Sequence, residues 1–122
     1  MVNILNWFEI PAADFSRAKA FYETMLGVAI HAQDMNGMRV GFFPQAGDAV
    51  GGAIMHGPGQ TPGATGITIY FKGGVDLGIP LARAVAAGAK VLLPKTLINE
   101  QIGHIALLLD TEGNRIGLHS ML

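Results

Sequence analysis

The sequence predicts an α+β fold made of two tandem strand–helix–strand–strand–strand (βαβββ) modules, because the chain repeats itself. Trp7-Phe8-Glu9-Ile10 in the first half corresponds to Thr68-Ile69-Tyr70-Phe71 in the second half. Each half closes on an apolar-His-small triplet, at residues 55–57 and 118–120. A repeat with an offset of about 62 positions indicates two copies of one supersecondary unit that close around a shared space.

One helix is predicted in each half. Asp14 can cap the first helix, whose apolar positions form one face and which ends at Gly27, a residue suited to a left-handed stop. In the second half Asp76 and Gly88 repeat these roles, and Pro80 falls in the first turn, where its missing N–H costs little. The apolar face of the first helix consists of Ala18, Phe21, Tyr22, Met25 and Leu26.

The remaining apolar runs predict eight strands, four in each half. The first module spans residues 1–58 and the second residues 64–122, with a Gly- and Pro-rich joint at 57–63 that is short enough to lie within a single domain of residues 1–122. The predicted strands are 4–10, 28–32, 38–43, 50–56, 66–71, 90–93, 104–109 and 115–119.

Composition points to a self-associating protein. Charged residues make up 14% and apolar residues 50% of the chain, so a monomer would have difficulty covering its surface with polar groups. We therefore expect a homodimer. A net charge of -1 without a basic cluster gives no electrostatic surface for nucleic acid or for an anionic membrane.

The chain has no cysteine, which excludes disulfides, thiolate catalysis and thiolate metal sites. Glu9 and Pro11 interrupt the first apolar stretch, so it does not resemble a signal peptide. No uninterrupted apolar window is long enough to span a membrane. These observations favour a cytoplasmic protein.

The duplicated module resembles the vicinal oxygen chelate superfamily, which includes glyoxalase I, the bleomycin resistance proteins and the extradiol dioxygenases. The resemblance lies in a helix that runs from Asp14 through Phe21-Tyr22 to Leu26-Gly27, and in Asp110-Thr111-Glu112-Gly113-Asn114 before the last strand. It implies an incomplete barrel around a shared cavity, a dimer and a small-molecule ligand. Trp7-Phe8-Glu9 and residues 113–119 are similar to small glyoxalase-like proteins of unassigned activity.

The resemblance also implies where a metal would be held, on the first and last strands of each module. Those positions correspond here to Trp7, Ile54, Thr68 and Gly117. Indole, aliphatic and glycine positions offer no lone pair to a metal ion. We therefore expect no metal centre of the usual kind and no cofactor.

Two residues further along each of these strands stand Glu9, His56, Tyr70 and His119. Side chains at i and i+2 of a strand share a face, so Glu9, His56 and His119 are candidate catalytic residues on the concave surface. The same three residues could alternatively hold a divalent metal such as Fe, Zn, Ni or Mn, since two imidazoles and one carboxylate form a known Fe(II) site. The structural alternative is that both histidines lie at the rim and that Glu9 caps a turn.

Candidate substrate contacts are Trp7, Thr68, Tyr70 and Arg39. Trp7, the single tryptophan, could form the floor of a pocket for planar ligands or be part of the core. Arg39 could bind an anionic substrate or point outward, because a register shift of one residue inverts the face.

Three functions follow from these patterns. The first is a metal-independent glyoxalase-like binding protein or enzyme. The second is a metal-dependent lyase or dioxygenase that uses the shifted Glu9, His56 and His119 site. The third is a resistance protein that sequesters a planar drug or metabolite without turnover.

Overall fold

Two four-stranded sheets and two helices form the fold in the computed structural model, which describes residues 3–122. Sheet A has the strand order β1-β4-β3-β2, and sheet B has the order β5-β8-β7-β6. The elements, in chain order, are β1 (Trp7–Pro11), α1 (Phe15–Leu26), β2 (His31–Met35), β3 (Met38–Phe42), β4 (Gly51–His56), β5 (Tyr70–Lys72), α2 (Gly78–Ala86), β6 (Lys90–Asn99), β7 (Gly103–Leu109) and β8 (Arg115–Ser120).

Each module has the same topology. The first strand pairs parallel with the last strand of its module, β1 with β4 and β5 with β8, and the other pairs are antiparallel. The predicted α+β fold of two βαβββ modules is therefore confirmed. The two sheets of one chain do not close into a barrel.

The first helix follows the sequence prediction at both ends. The Asp14 carboxylate accepts a hydrogen bond from the Arg17 N–H, which satisfies one of the free donors of the first turn. At the other end Gly27 has a φ of 66°, and its N–H donates to the Glu23 carbonyl. The face that α1 buries consists of Phe15, Ala18, Phe21, Tyr22 and Met25.

The second helix is shorter than its counterpart. The Asp76 carboxylate accepts a hydrogen bond of 2.8 Å from the Gly78 N–H. The N-cap position is Leu77, which makes no side-chain capping bond, so the prediction of Asp76 as the cap is wrong by one residue. Pro80 is buried in the first turn. The helix ends at Ala86, and Gly88 follows with a φ of 109°.

Four strand predictions differ from the structure by several residues. Strand β1 starts at Trp7 rather than at residue 4, and β5 starts at Tyr70 rather than at residue 66. Residues 28–30 are not part of β2, because the Glu23 carboxylate accepts from the Ile30 N–H at 2.9 Å and the Glu23 carbonyl accepts from the Val28 N–H. These contacts hold the segment against the end of α1, and β2 starts at His31. Strand β6 continues past the expected end to Asn99, with irregular register against β7.

One hydrophobic core joins the two modules. A group of four aromatic rings, which we call the seam cluster, lies at its edge, with Phe8, Tyr22 and Phe43 from the first module and Phe71 from the second. The Phe71 ring centre lies 5.8 Å from that of Phe8 and 5.7 Å from that of Tyr22. These contacts bring side chains of β1 and β5 together.

Within residues 3–122, no helix is long and apolar enough to cross a membrane.

Candidate functional site

Each sheet has one face that packs on the helices and one that points away from them, which we call the open face. In sheet A, buried Ile10 and Ile54 belong to the helix face, so their strand neighbours project to the open face. The residues that line one cavity on sheet A and another on sheet B agree with this assignment. The open face of sheet A includes Trp7, Glu9, Met38, Val40, Phe42, Ala53 and Met55, and that of sheet B includes Tyr70, Lys72, Ile105, Gly117 and His119.

Both open faces carry an aromatic ring that lies over a glycine of the neighbouring strand. Trp7 is the register partner of Gly51, and a Cβ placed on that glycine would lie 2.8 Å from Trp7 Cζ3. Tyr70 is the register partner of Gly117, and a Cβ there would overlap the Tyr70 ring. The two rings remain half-exposed, at 42% for Trp7 and 46% for Tyr70. Each open face therefore presents a flat aromatic surface.

The open face of sheet A surrounds a cavity of about 270 Å³. Thioethers and aromatic rings dominate its lining, with Met35, Met38 and Met55 beside Trp7. Methionine is polarisable and adapts its shape to irregular partners. Of residues 3–122, Glu9 supplies the one charged side chain in this lining. The three methionines were not predicted as site residues, although their alternate positions on neighbouring strands would have signalled them.

The open face of sheet B lines a second cavity, of about 410 Å³. Tyr70 and His119 border it with Lys72, and Ile102 and Ile105 supply apolar surface. His119 Nε2 lies within hydrogen-bond distance of the Ile102 carbonyl. A carbonyl only accepts, so Nε2 carries the proton and Nδ1 is the basic nitrogen of the neutral ring.

Thr68 lies just before β5, and its side chain is held by Arg115, which was not predicted as a site residue. Arg115 Nε donates to Thr68 Oγ1 at 2.9 Å, and Arg115 Nη2 donates to the Gly66 carbonyl at 2.6 Å. Arg115 therefore fixes the segment that leads into β5. The alternation of Arg115 with Gly117 and His119 along β8 would have indicated that all three share a face.

His56 and Arg39 lie on the helix face, so the prediction that His56 shares a surface with Glu9 is wrong. Arg39 is the cross-strand partner of His56, and its guanidinium carbon lies 5.2 Å from the centre of the Phe15 ring of α1. Cross-strand partners project to the same side of a sheet. His56 Nδ1 donates to the Ala12 carbonyl at 2.8 Å. Arg39 also lies 3.6 Å from an Asp34 carboxylate oxygen.

The reason for this error is the alignment of the two modules. The register partners Trp7–Gly51 and Tyr70–Gly117 show that Tyr70, rather than Thr68, is the counterpart of Trp7. Along the same strands Glu9 corresponds to Lys72. The position in module 1 that corresponds to His119 is therefore Ala53, the partner of Glu9.

The donor atoms on the open faces do not fit a metal centre of three or four ligands. Glu9 lies on the open face of sheet A, and His119 lies on that of sheet B with one ring nitrogen bonded to a carbonyl. Across residues 3–122, no three His, Asp or Glu side chains come close enough together to hold a metal ion.

The acidic loop at residues 110–114 joins the modules through buried hydrogen bonds. Tyr22 is fully buried, and its hydroxyl donates to Asp110 Oδ2. Burial raises the pKa of Tyr22 well above its usual value, and the neighbouring Asp110 carboxylate raises it further. Asn114 Nδ2 donates to Asp110 Oδ2 at 3.0 Å and to the Pro11 carbonyl at 2.8 Å.

The same loop also holds the start of α1. The Glu112 carboxylate accepts from the Asp14 N–H and from Arg17 Nε, each at 2.7 Å, and its side chain has no exposed surface. Asn114 Oδ1 accepts from the Gly63 N–H in the joint between the modules. The motif that carries the family resemblance therefore serves to fix one module against the other.

Comparison with known proteins assigns the fold. A glyoxalase I mutant from Zea mays has a TM-score of 0.74 at 16% identity over 95% of this chain, which spans only 46% of that protein's length. The fosfomycin resistance protein FosX from Listeria monocytogenes has a TM-score of 0.73 at 19% identity, with 98% of this chain and 92% of FosX covered. The antibiotic binding protein TnmS3 from Streptomyces sp. CB03234 has a TM-score of 0.65 at 24% identity, with 98% and 96% covered.

These similarities show that the chain has the fold of the vicinal oxygen chelate superfamily, and the predicted resemblance is confirmed. At the level of sequence, residues 5–40 match the model of the Bleomycin resistance protein-like N-terminal family. Comparison with curated proteins gave no match.

Proposed function

We propose that this protein binds a small planar organic molecule on its open faces, as a homodimer and without the metal centre usual in the superfamily. The observation that carries the proposal is the pair of half-exposed rings, Trp7 over Gly51 and Tyr70 over Gly117. A flat aromatic surface held in place by a glycine offers stacking area to a planar ligand at little entropic cost.

The chemistry of the open faces supports an organic ligand. Thioether and aromatic groups beside Trp7 favour a polarisable, apolar body, and Glu9 provides one polar contact. Among proteins of the same fold, TnmS3 is described as an antibiotic binding protein and FosX as a fosfomycin resistance protein. Binding without turnover is therefore the first function to test, with an enzymatic reaction at Glu9 and His119 as the alternative.

Two features support the homodimer. Each open face is largely apolar and carries a half-exposed aromatic ring, and the two sheets of one chain do not close into a barrel. Their charges are also complementary, because Glu9 on sheet A occupies the position that Lys72 occupies on sheet B. In the proposed dimer the open face of sheet A of one protomer lies against the open face of sheet B of its partner, and the ligand binds between them.

Fluorescence of the single tryptophan tests ligand binding directly. Titration with acridine orange, a planar cationic aromatic probe, is expected to quench Trp7 in a saturable manner. Tyr70→Ala should weaken the quenching, whereas His56→Ala, on the helix face, should leave it unchanged. An absence of saturable quenching, with this probe and with an anionic planar dye, would argue against the proposal.

Metal content and turnover are tested on the same preparation, purified without an affinity tag. Elemental analysis is expected to find no stoichiometric Fe, Zn, Ni or Mn. A metal present at one equivalent and lost in Glu9→Ala would favour a metal-dependent lyase or dioxygenase. Chemical change of a bound ligand, detected by mass spectrometry, would make the protein an enzyme. The cytoplasmic location also stays a prediction, for which cell fractionation is the test.

A further inference from the structure

A third cavity lies at the boundary between the two modules, on the side of the seam cluster. It has a volume of about 510 Å³, within the usual size range of small-molecule sites. Phe8, Phe43 and Phe71 of the seam cluster line it, together with Val28 and Ile69. Because the cavity borders the seam cluster, an apolar ligand there would bury part of its surface against aromatic rings. We call it the seam cavity.

The charges around the seam cavity have one sign. Among the described residues, Lys72 is the only charged one in its lining. An adjoining cavity shares Leu26 and Lys72 with it and adds Arg83, and no acidic residue of the described part of the chain lines either cavity. Within residues 3–122, the ion pairs of the protein involve neither Lys72 nor Arg83. Two cations that form no ion pair within the described part of their own chain, beside an apolar cavity, are complementary to an amphipathic anion.

We propose that the seam cavity is a second ligand site that binds an apolar monocarboxylate, distinct from the open-face cavities although it shares Tyr70, Phe71 and Lys72 with that of sheet B. The hydrocarbon body lies against Phe8, Phe43 and Phe71, and the carboxylate faces Lys72 with Arg83 behind it. This site needs neither a second protomer nor the planar ligand of the open faces. Because Lys72 also lies on the open face of sheet B, the test follows methyl groups that line the seam cavity and neither open-face cavity.

Decanoate is the probe, followed by NMR of protein labelled at the methyl groups of Ile, Leu, Val and Met. Saturable shifts are expected in the cavity methyls of Leu26, Val28, Val50 and Ile69. The methionines of the open face, Met35, Met38 and Met55, should not shift. The uncharged analogue decanol should bind more weakly than decanoate.

Lys72→Gln should weaken decanoate binding by roughly threefold to fivefold, as expected for a partly exposed ion pair. Val28→Asp, which places a carboxylate in the cavity wall, should weaken it further. Lys95→Gln is the matched control, because Lys95 pairs with Asp76 at 2.8 Å and lines neither cavity. It should leave the affinity unchanged.

Three results would overturn the proposal: no saturable shift, shifts confined to the methionine methyls, or equal affinity for decanol and decanoate. None of these depends on the quenching of Trp7 by acridine orange. Failure of the seam site and failure of the open-face site can therefore be told apart.

Discussion

The Tyr70 ring lies across Gly117 of the neighbouring strand, in the space that a Cβ atom at residue 117 would occupy. Trp7 lies across Gly51 in the same way in the other module. Gly117, which stands where the resemblance to the superfamily implies a metal ligand, therefore has a different structural role. It makes room for a ring that lies flat on the sheet and points one face at the solvent.

Gly117→Ala should displace Tyr70 and lower the stability of the fold. Gly117 is buried, so the new methyl group has no free space, and overpacking of this kind costs about 1–3 kcal/mol. Denaturant unfolding should show this loss, and acridine orange should bind more weakly. Gly63→Ala is the control, since nothing lies within 4 Å of its added Cβ. Equal stability of the two variants would contradict this account of Gly117.

Asn114→Ala should be among the most destabilising polar substitutions in the chain. Asn114 is buried and makes hydrogen bonds to Pro11, Gly63 and Asp110. Its removal takes a hydrogen-bond partner from three groups, of which the Asp110 carboxylate is buried, for an expected cost of about 2–4 kcal/mol in the free energy of unfolding. Asn99→Ala, which removes two hydrogen bonds at an exposed turn, should cost less. A smaller effect for Asn114 than for Asn99 would contradict the prediction.

Tyr22 makes stability fall at high pH. Its folded pKa is raised by burial and by Asp110, so the unfolded chain loses the phenol proton first. The stabilisation is complete below the ordinary pKa of 10.0 and is lost as pH rises above it. Tyr22→Phe should cost about 1–3 kcal/mol at neutral pH, because it removes a buried hydrogen bond to a carboxylate, and should flatten the alkaline decline. An unchanged decline in Tyr22→Phe, measured by urea unfolding, would rule out Tyr22 as its source.

Glu112 gives the opposite pH dependence. Desolvation raises the pKa of Glu112, but hydrogen bonds from Arg17, the Asp14 N–H and Thr111 outweigh it, and the net pKa lies below the ordinary value of 4.5. The stabilisation is therefore present above about pH 4.5 and is lost as pH falls through the folded pKa.

Glu112→Gln tests this sign. It should lower the free energy of unfolding by about 1–3 kcal/mol at neutral pH, and the difference from the unmodified protein should shrink toward pH 3. Glu100→Gln, at an exposed position, should change stability little at either pH. A difference that grows on acidification would contradict the assignment.

Substitutions of His56 and of His119 should have different effects on ligand affinity. His119 borders the open-face cavity of sheet B, whereas His56 lies on the helix face bonded to the Ala12 carbonyl. His119→Ala should weaken binding of acridine orange to the open faces, and His56→Ala should leave the affinity unchanged while lowering thermal stability slightly. Equal losses of affinity would require that His56 reach the ligand.

The fold was predictable because its signals are local. Asp14 and Gly27 mark the ends of α1, and the repeat marks the second module, so caps and periodicity sufficed. The site depends on register, which a sequence motif does not determine. The similar triplets at residues 55–57 and 118–120 favoured an alignment of His56 with His119, whereas β-pairing makes Ala53 the counterpart of His119. A shift of three residues inverts the face of a strand, and this placed His56 on the wrong face in the prediction.

Strand register also predicts a contact in the proposed dimer. Glu9 on sheet A and Lys72 on sheet B occupy equivalent positions, and they face each other across the proposed interface. Glu9→Lys places like charges against each other in that arrangement, and Lys72→Glu does the same from the other side. Each single variant should weaken the dimer by roughly twofold to tenfold, in keeping with charge pairs at a partly exposed interface. Sedimentation or light scattering across a dilution series gives the dissociation constant.

The double variant Glu9→Lys with Lys72→Glu should recover dimerisation, because it restores opposite charges at both positions. Lys90→Glu changes charge by the same amount at an exposed site on the edge strand β6 and serves as the matched control. Glu9→Lys raises the net charge and Lys72→Glu lowers it, so a general effect of net charge would change dimer affinity in opposite directions in the two single variants. Weakening in both single variants with recovery in the double variant would therefore be specific to a contact between the two open faces. A protein that is monomeric at micromolar concentration, or a double variant weaker than both singles, would show that the open faces do not meet.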